Sequence, residues 1–564
     1  MISSNFLNIF LLDKNYLILF AIFFFGLFYS LANLSKISFF NFLKPPIFAI
    51  LGFFCFQINS YNNENLLNGI MIIGITLSFI ISSIISLREK YQKKLDFLIF
   101  IYYGLLIVLF NQTFIQKCNL FHLITIIEIL SIVGFVFLIV DYENSKIDLK
   151  VTNEILEKQN SKKNISMRYL ITHCFSGLFF ILGIIGMITN GSSISLNDFF
   201  NGKSHINYFI VISILINIAI PFFSFWFVQS YSSVRFSFSI IMMSGVSKIS
   251  LFLLFFISKN HQIPYLEVIG IVTMIYGSFM TLQEINIRRF FCYSLISHNG
   301  FLILAISQKL TNNLFIELIS ISFILQILFA SFIFLVSYNS KEYYFSEIEK
   351  NIKKYKFLFF LSVLVNWFFI SMPYTIGFFS KSVILNEIKI HWIKNGFYWT
   401  ILTNIFAHLF VFNYRLFSKQ NLIFNTSFSK NDYIKNITIF IISTIPIFLL
   451  YIFIYKNNIL PNFDIFLKYL SFLLISGVSF LLFKNFFTKN QFLPYDITTL
   501  FEYLKQLLNL LFYILREFQN YFEQYFEKLK EKIFEIPSYK KYLNSYHFLM
   551  IFFFSCLCFL ITKI

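Results

Sequence analysis

Residues 367–387, WFFISMPYTIGFFSKSVILNE, are apolar enough to lie in lipid, yet they carry Pro373, Gly377 and Lys381 near their middle. A proline inside a helix removes one backbone hydrogen bond and clashes with the preceding turn. In hydrocarbon the freed carbonyl is tolerated only where protein or a water-filled cavity satisfies it again. A lysine at the same depth is costly unless it faces a polar interior. The stretch therefore reads as a broken helix beside an ion path, with the rest of the chain built to hold it there.

Composition agrees with a chain made for lipid. Of 564 residues, 57% are hydrophobic and 13% charged, and the mean hydropathy is +0.72. A soluble protein of this size has too few charges here to cover so much apolar surface. The 83 Phe and 32 Tyr, with abundant Ile, Asn and Lys, point to an AT-rich genome such as an organelle's, which devalues any single Phe or Ile as a signal. The six cysteines, Cys55, Cys118, Cys174, Cys292, Cys556 and Cys558, are scattered through mostly apolar segments without metal-ligand spacing. No dinucleotide fingerprint or phosphate loop is visible. We therefore expect no cofactor and no metal site in this chain. The first hydrophobic run lacks a small-residue cleavage site and is expected to be retained.

Runs long enough to span a bilayer lie near residues 16–33, 45–60, 66–87, 96–111, 119–140, 169–189, 206–228, 237–257, 263–282, 289–307, 314–337, 357–388, 396–414, 434–455, 465–483 and 546–562. That predicts an all-α polytopic membrane protein of about sixteen transmembrane helices. Numbering the connections alternately separates the charges. One side takes Lys44, Arg88, the polar loop 143–168, Arg235, Arg288, Arg289, the cluster 341–356 and Arg415, together with segment 484–545. The other collects a few, such as Lys117, Lys203, Lys259, Lys309 and Lys394. This asymmetry follows the positive-inside rule and puts both termini on the outer face. The net charge of +18 thus describes topology, and no nucleic-acid partner is expected.

Residues 497–535 follow another pattern. Leu504, Leu508, Leu511, Leu515, Phe518, Phe522, Tyr525 and Leu529 step by fours and threes between charged positions, as in one long amphipathic helix. A coiled coil would show the same seam. Its place between two spanning segments favours a helix lying along the membrane surface.

Five features sit where lipid penalises them: Glu128, Asn217 with Pro221, Lys248, Pro373 with Lys381, and His408. Two candidate breaks, Pro221 and Pro373, are each followed by a titratable group, Lys248 and His408 respectively. That recurrence suggests two five-helix repeats, which an odd number of crossings makes inverted, as in transporters built around a midplane site. Unwound backbone and half-helix dipoles can stabilise a passing proton. Lysine suits such a relay, because burial and neighbouring carboxylates move its proton affinity in opposite directions. The rival reading is that Lys248 and Lys381 snorkel to an interface, and that His408 is a hydrogen-bonded packing group.

The domain division expected is 1–112, N-terminal helices; 113–258, a first repeat broken at Pro221; and 259–416, a second broken at Pro373. Further spanning helices fill 417–484, the amphipathic helix 485–545, and a membrane anchor 546–564.

The strings IPFFSFWFVQSYSSVRFSFSIIMMSGVSKISLFLLFF (220–256), LQEINIRRFFCYSLISHNGFLILAI (282–306) and MPYTIGFFSKSVIL (372–385) resemble the antiporter-like membrane subunits of respiratory complex I, NADH:ubiquinone oxidoreductase, and their relatives, the Mrp-type cation/proton antiporters. The likeness covers roughly 119–414. Lys248 and Lys381 together resemble subunit 2, whereas the C-terminal amphipathic helix is similar to the lateral helix of subunit 5. The resemblance implies a proton relay of Glu128, Lys248, Lys381 and His408, with Asn217 and His298 as supporting polar groups. Glu128 would modulate Lys248, and Lys381 with His408 would form the exit. It further implies complex I membrane-arm subunits, the lipid bilayer and protons as partners, and the mitochondrial inner membrane as location, with a bacterial plasma membrane the alternative. One departure stands out. Where the family carries a lysine before the first break, this chain has Ile216 with Asn217 beside it. A stand-alone cation/proton antiporter and a non-pumping structural subunit therefore stay open as readings.

Overall fold

In a computed structural model of the chain, the described residues are 40–59, 66–87, 96–110, 118–147, 153–200, 202, 207–309, 311–337, 345, 348, 356–373, 375–417 and 468–479. Two units divide the chain, Met1–Phe480 and Leu481–Ile564, and every described residue lies in the first. The helices expected near 16–33, 434–455 and 546–562, and the amphipathic helix, lie outside the described residues.

Uninterrupted apolar runs become long helices, because in hydrocarbon the backbone must bond to itself. In chain order these are α1 (Phe40–Asn59), α2 (Leu66–Ser86), α3 (Asp96–Leu109), α4 (Leu120–Ile147), α5 (Asn153–Thr189) and the short α6 (Leu196–Phe200). Then come α7 (Tyr208–Ile218), α8 (Phe225–Ser233), α9 (Phe236–Met243), α10 (Val246–Asn260), α11 (Leu266–Gln283) and α12 (Ile287–Ser307). The remainder are α13 (Asn312–Ser337), α14 (Lys356–Ile370), α15 (Ile376–Glu387), α16 (His391–Ile405), a π-helical turn (Phe406–Phe412), α17 (Asn413–Phe417) and α18 (Lys468–Ser479). Among the described residues seven helices are long and apolar enough to cross a membrane, and extended structure is limited to one bridge between Asn119 and Ser195. This is an all-helical, multi-pass membrane protein.

Burial sorts the helices into a centre and a rim. The span of α13 is buried throughout, and that of α12 to 89%, while the spans of α5 and α11 are buried to only 44%. Along α5, Leu178, Leu182, Ile185 and Ile188 are exposed, a helical stripe suited to acyl chains. Small residues let α11 and α12 approach closely. A Cβ on Gly277 would meet the backbone of Ser297, and one on Gly300 the backbone of Met274.

The polar segment 143–168 departs from expectation. In place of the expected loop, α4 continues to Ile147 and α5 starts at Asn153. NEILEKQNSKK is rich in good helix formers, and hydropathy marks only where a helix turns apolar. The run expected at 206–228 divides into α7 and α8, and that at 357–388 into α14 and α15. The intervening backbone includes left-handed residues: Ala219 and Phe222 in the first gap, and Ser371 in the second. Pro221 and Pro373 lie inside these gaps.

Candidate functional site

Each gap frees helix-end carbonyls, which need donors. At the second gap Ile370 ends α14, and its carbonyl accepts from the Lys381 ammonium at 3.0 Å. A helix C-terminus carries partial negative charge, so a cation there is favoured. The Phe301 ring lies 5.4 Å from the same ammonium. Trp367 Nε1 donates to the Pro373 carbonyl at 3.4 Å, and the Thr375 hydroxyl to Met372 at 2.7 Å. Gly377 faces Ser371 so closely that a Cβ would collide with it.

At the first gap the donors come from elsewhere. Trp226 Nε1 donates to the Ile216 carbonyl at 3.2 Å, and Asn299 of α12 to the Ile218 carbonyl at 3.2 Å. Lys248 lies in the first turn of α10, 2% exposed, where its ammonium donates to the Ser322 hydroxyl on α13. The Phe323 ring is 5.8 Å away. Lys381 is also buried. Both ammonium groups thus lie inside the bundle, the opposite of snorkelling.

Helix α12 runs past both lysines. His298 is buried, its Nε2 has no hydrogen-bond partner among the described residues, and it lies within electrostatic reach of both Lys248 and Lys381. One helical turn earlier, the Ser294 hydroxyl meets His408 Nε2 at 3.0 Å. His408 Nδ1 sits 2.9 Å from Asn366 Oδ1 on α14, and the charge of Lys381 reaches His408. The π-helical turn carrying His408 is held by Asn413, whose amide donates to the His408 and Leu409 carbonyls at 3.2 and 2.8 Å. Such turns add a residue to the helix and re-aim its side chains.

The structure therefore brings Lys248, His298, Lys381 and His408 into one buried polar series. Glu128 makes no hydrogen bond to this series among the described residues. Its carboxyl packs against Gly177 of α5, where a Cβ would strike it, and its charge reaches Tyr169 and Cys174. No ion pair joins Glu128 to Lys248 among the described residues. Asn217 is buried, and its Oδ1 lies 3.1 Å from His173 Nδ1 on α5. Pro221 is half-buried and Pro373 buried.

Sequence reading passed over His173, Ser294, Asn299, Ser322 and Asn366. Serine and asparagine are common in spanning helices, so nothing local marks them. His173 carried the same signal as His408, an imidazole in an apolar run, and was legible on that ground.

Residues 142–411 match the family model described as NADH:quinone oxidoreductase/Mrp antiporter, TM. The chain is 27% identical over 321 residues to the NADH-quinone oxidoreductase subunit N of Buchnera aphidicola, covering 50% of this chain and 63% of that protein. It is 25% identical over 237 residues to the NADH-ubiquinone oxidoreductase chain 2 of Anopheles gambiae, covering 41% of this chain and 65% of that one. These matches span less than two thirds of each relative's length. Among solved structures, a chain of the membrane-bound sulfane sulfur reductase (MBS), an archaeal respiratory membrane complex, superposes with a TM-score of 0.62 at 12% identity. That alignment covers 83% of this chain and 99% of the other. At such identity the likeness concerns the fold alone.

Proposed function

From the match of residues 142–411 to the NADH:quinone oxidoreductase/Mrp antiporter family model, we propose that this chain is a proton-translocating, antiporter-like membrane subunit of an NADH:ubiquinone oxidoreductase. The observation that carries the proposal is the buried series Lys248, His298, Lys381 and His408. Among the described residues no carboxylate is bonded to either buried cation, and an imidazole whose Nε2 has no hydrogen-bond partner there lies within reach of both.

In this reading Lys248 receives a proton and releases it through His298 to Lys381. His408 then carries it toward the exit. Each transfer breaks an N–H bond on one group and forms one on the next, directly or through water. Energy comes from redox chemistry in neighbouring membrane-arm subunits, and this chain's own work is proton exchange alone. Residues 113–258 and 259–416 serve as two inverted repeats, a division supported by one interrupted helix and one tryptophan donor at each interruption. The mitochondrial inner membrane is the proposed site, and subunit 2 the proposed position, by analogy with the Anopheles gambiae relative.

That Lys248 bonds to Ser322 and makes no ion pair with Glu128 among the described residues favours a second reading, a structural subunit whose gate no longer works. Lys248→Met and Lys381→Met, made separately in the assembled complex, distinguish the two. A lower proton-to-electron ratio with intact assembly supports translocation, and an unchanged ratio supports the scaffold. Cation-dependent proton transport by the purified chain alone would instead identify a stand-alone antiporter.

A further inference from the structure

His173 is almost fully buried, at 1% exposure, on the face of α5 turned toward α7. Its Nδ1 lies 3.1 Å from Asn217 Oδ1, one residue before the end of α7. An amide oxygen only accepts, so the shared proton sits on Nδ1 and the lone pair on Nε2. That Nε2 is buried, with no hydrogen-bond partner among the described residues. A buried unsatisfied acceptor is unusual enough to require a reason.

The surroundings supply one. The Tyr169 and Trp226 rings hold the imidazole at centroid distances of 4.4 and 4.5 Å. One turn along α5 the Glu128 carboxyl fills the space against Gly177, and its charge reaches Tyr169 and Cys174, on either side of His173. The titratable groups around the ring are Glu128 on α4, Tyr169 and Cys174 on α5, Tyr231 on α8 and Tyr102 on α3. Thiols and phenols ionise only above about pH 8. Glu128 is thus the one of these able to set a negative charge beside an imidazolium.

We propose that His173 is a reversible proton-binding site in the first half of the bundle, taking a proton at Nε2 from the Glu128 side, with Asn217 as the positioning residue. The Nε2 lone pair forms a new N–H bond as an O–H bond of the Glu128 carboxylic acid, or of a water, breaks. The reverse step returns the proton and restores the Nδ1-protonated neutral ring. The site lies beside the first helix interruption, where, among the described residues, Lys248 bonds to Ser322 and makes no ion pair with Glu128. Its transport role rests on the translocation reading above, whereas its protonation does not.

The test uses the contact with Trp226, because imidazolium accepts an excited-state electron from indole and quenches it while neutral imidazole does not. Tryptophan emission of the full-length chain in lipid nanodiscs is titrated from about pH 3 to about pH 9, a span that brackets histidine ionisation in exposed and buried settings. The parent is expected to show a reversible quenching step that is missing in both His173→Gln and Trp226→Phe. Glu128→Gln is expected to displace that step by at least about half a pH unit, since it removes the carboxyl group proposed to exchange the proton. Absence of the step, its persistence in His173→Gln, or no displacement in Glu128→Gln would overturn the proposal. The last arm decides even if His173→Gln does not fold. In the assembled complex, His173→Gln should lower proton flux about tenfold or more, the scale of a lost proton-transfer group. If the parent complex carries no flux through this chain while the optical step is present, the translocation reading fails and the His173 site stands.

Discussion

The ammonium of Lys381 donates to the carbonyl of Ile370 at 3.0 Å, across the interruption between α14 and α15. One side chain therefore has two duties, satisfying a helix-end acceptor and presenting an exchangeable proton inside the bundle. Lys381→Met should remove both, lowering the proton-to-electron ratio and destabilising the chain by about 1–3 kcal/mol for the buried carbonyl left unbonded. Lys381→Arg should keep the bond and the Tm but not the ratio, because a guanidinium does not release its proton in proteins. Proton-pumping assays beside thermal melts in detergent separate the duties. A full ratio in Lys381→Arg would contradict the relay.

Lys248 donates to the Ser322 hydroxyl, which anchors α10 to α13. Ser322→Ala should leave the ammonium present but misplaced, so proton flux should fall by less than in Lys248→Met. A net contribution of about 1.5–3 kcal/mol is expected for a hydrogen bond to a charged group. Flux and melting measured on both single variants and the double variant test the coupling.

Gly377→Ala should destabilise the second interruption, since its Cβ would overlap Ser371, at a cost of about 1–3 kcal/mol for an overpacked site. Ser371 has a φ of 66°, where glycine is unstrained. Ser371→Gly should therefore rescue Gly377→Ala, because it removes the obstructing Cβ and relaxes the backbone together. Chemical denaturation of the two singles and the double reads this directly, and additive losses would exclude the contact.

Glu284 follows α11 outside the span, and burial raises its proton affinity above the usual carboxylate range against the opposing charges of Arg289 and Arg415. A carboxyl whose folded value is raised binds more protons folded than unfolded, so it stabilises at low pH and loses that contribution as pH climbs above about 4.5. Glu284→Gln should flatten this part of the stability-against-pH curve and leave the chain no less stable at neutral pH. A larger loss at neutral pH than at pH 4.5 would show that the arginines outweigh the burial.

Much of this architecture could be read locally. Hydropathy is a property of a window of chain, so the apolar runs from α2 to α13 were legible without any knowledge of neighbours. Proline chemistry is equally local, which is why Pro221 and Pro373 coincide with the gaps. Helical propensity in polar sequence is local too, but it was hidden by reading hydropathy first. The continuation of α5 through NEILEKQNSKK went unseen for that reason.

What the amino-acid sequence determined by itself was the lipid-spanning class, the two interruptions and the identity of the ionisable groups at depth, because each depends on a few adjacent residues. Only the tertiary structure decided which of those groups meet. Asn299 reaches Ile218, His408 meets both Asn366 and Ser294, and Glu128 faces Gly177 instead of Lys248. These pairings join residues far apart in the chain, and close packing of helices, with every freed carbonyl seeking a donor in a medium that lacks water, selects them.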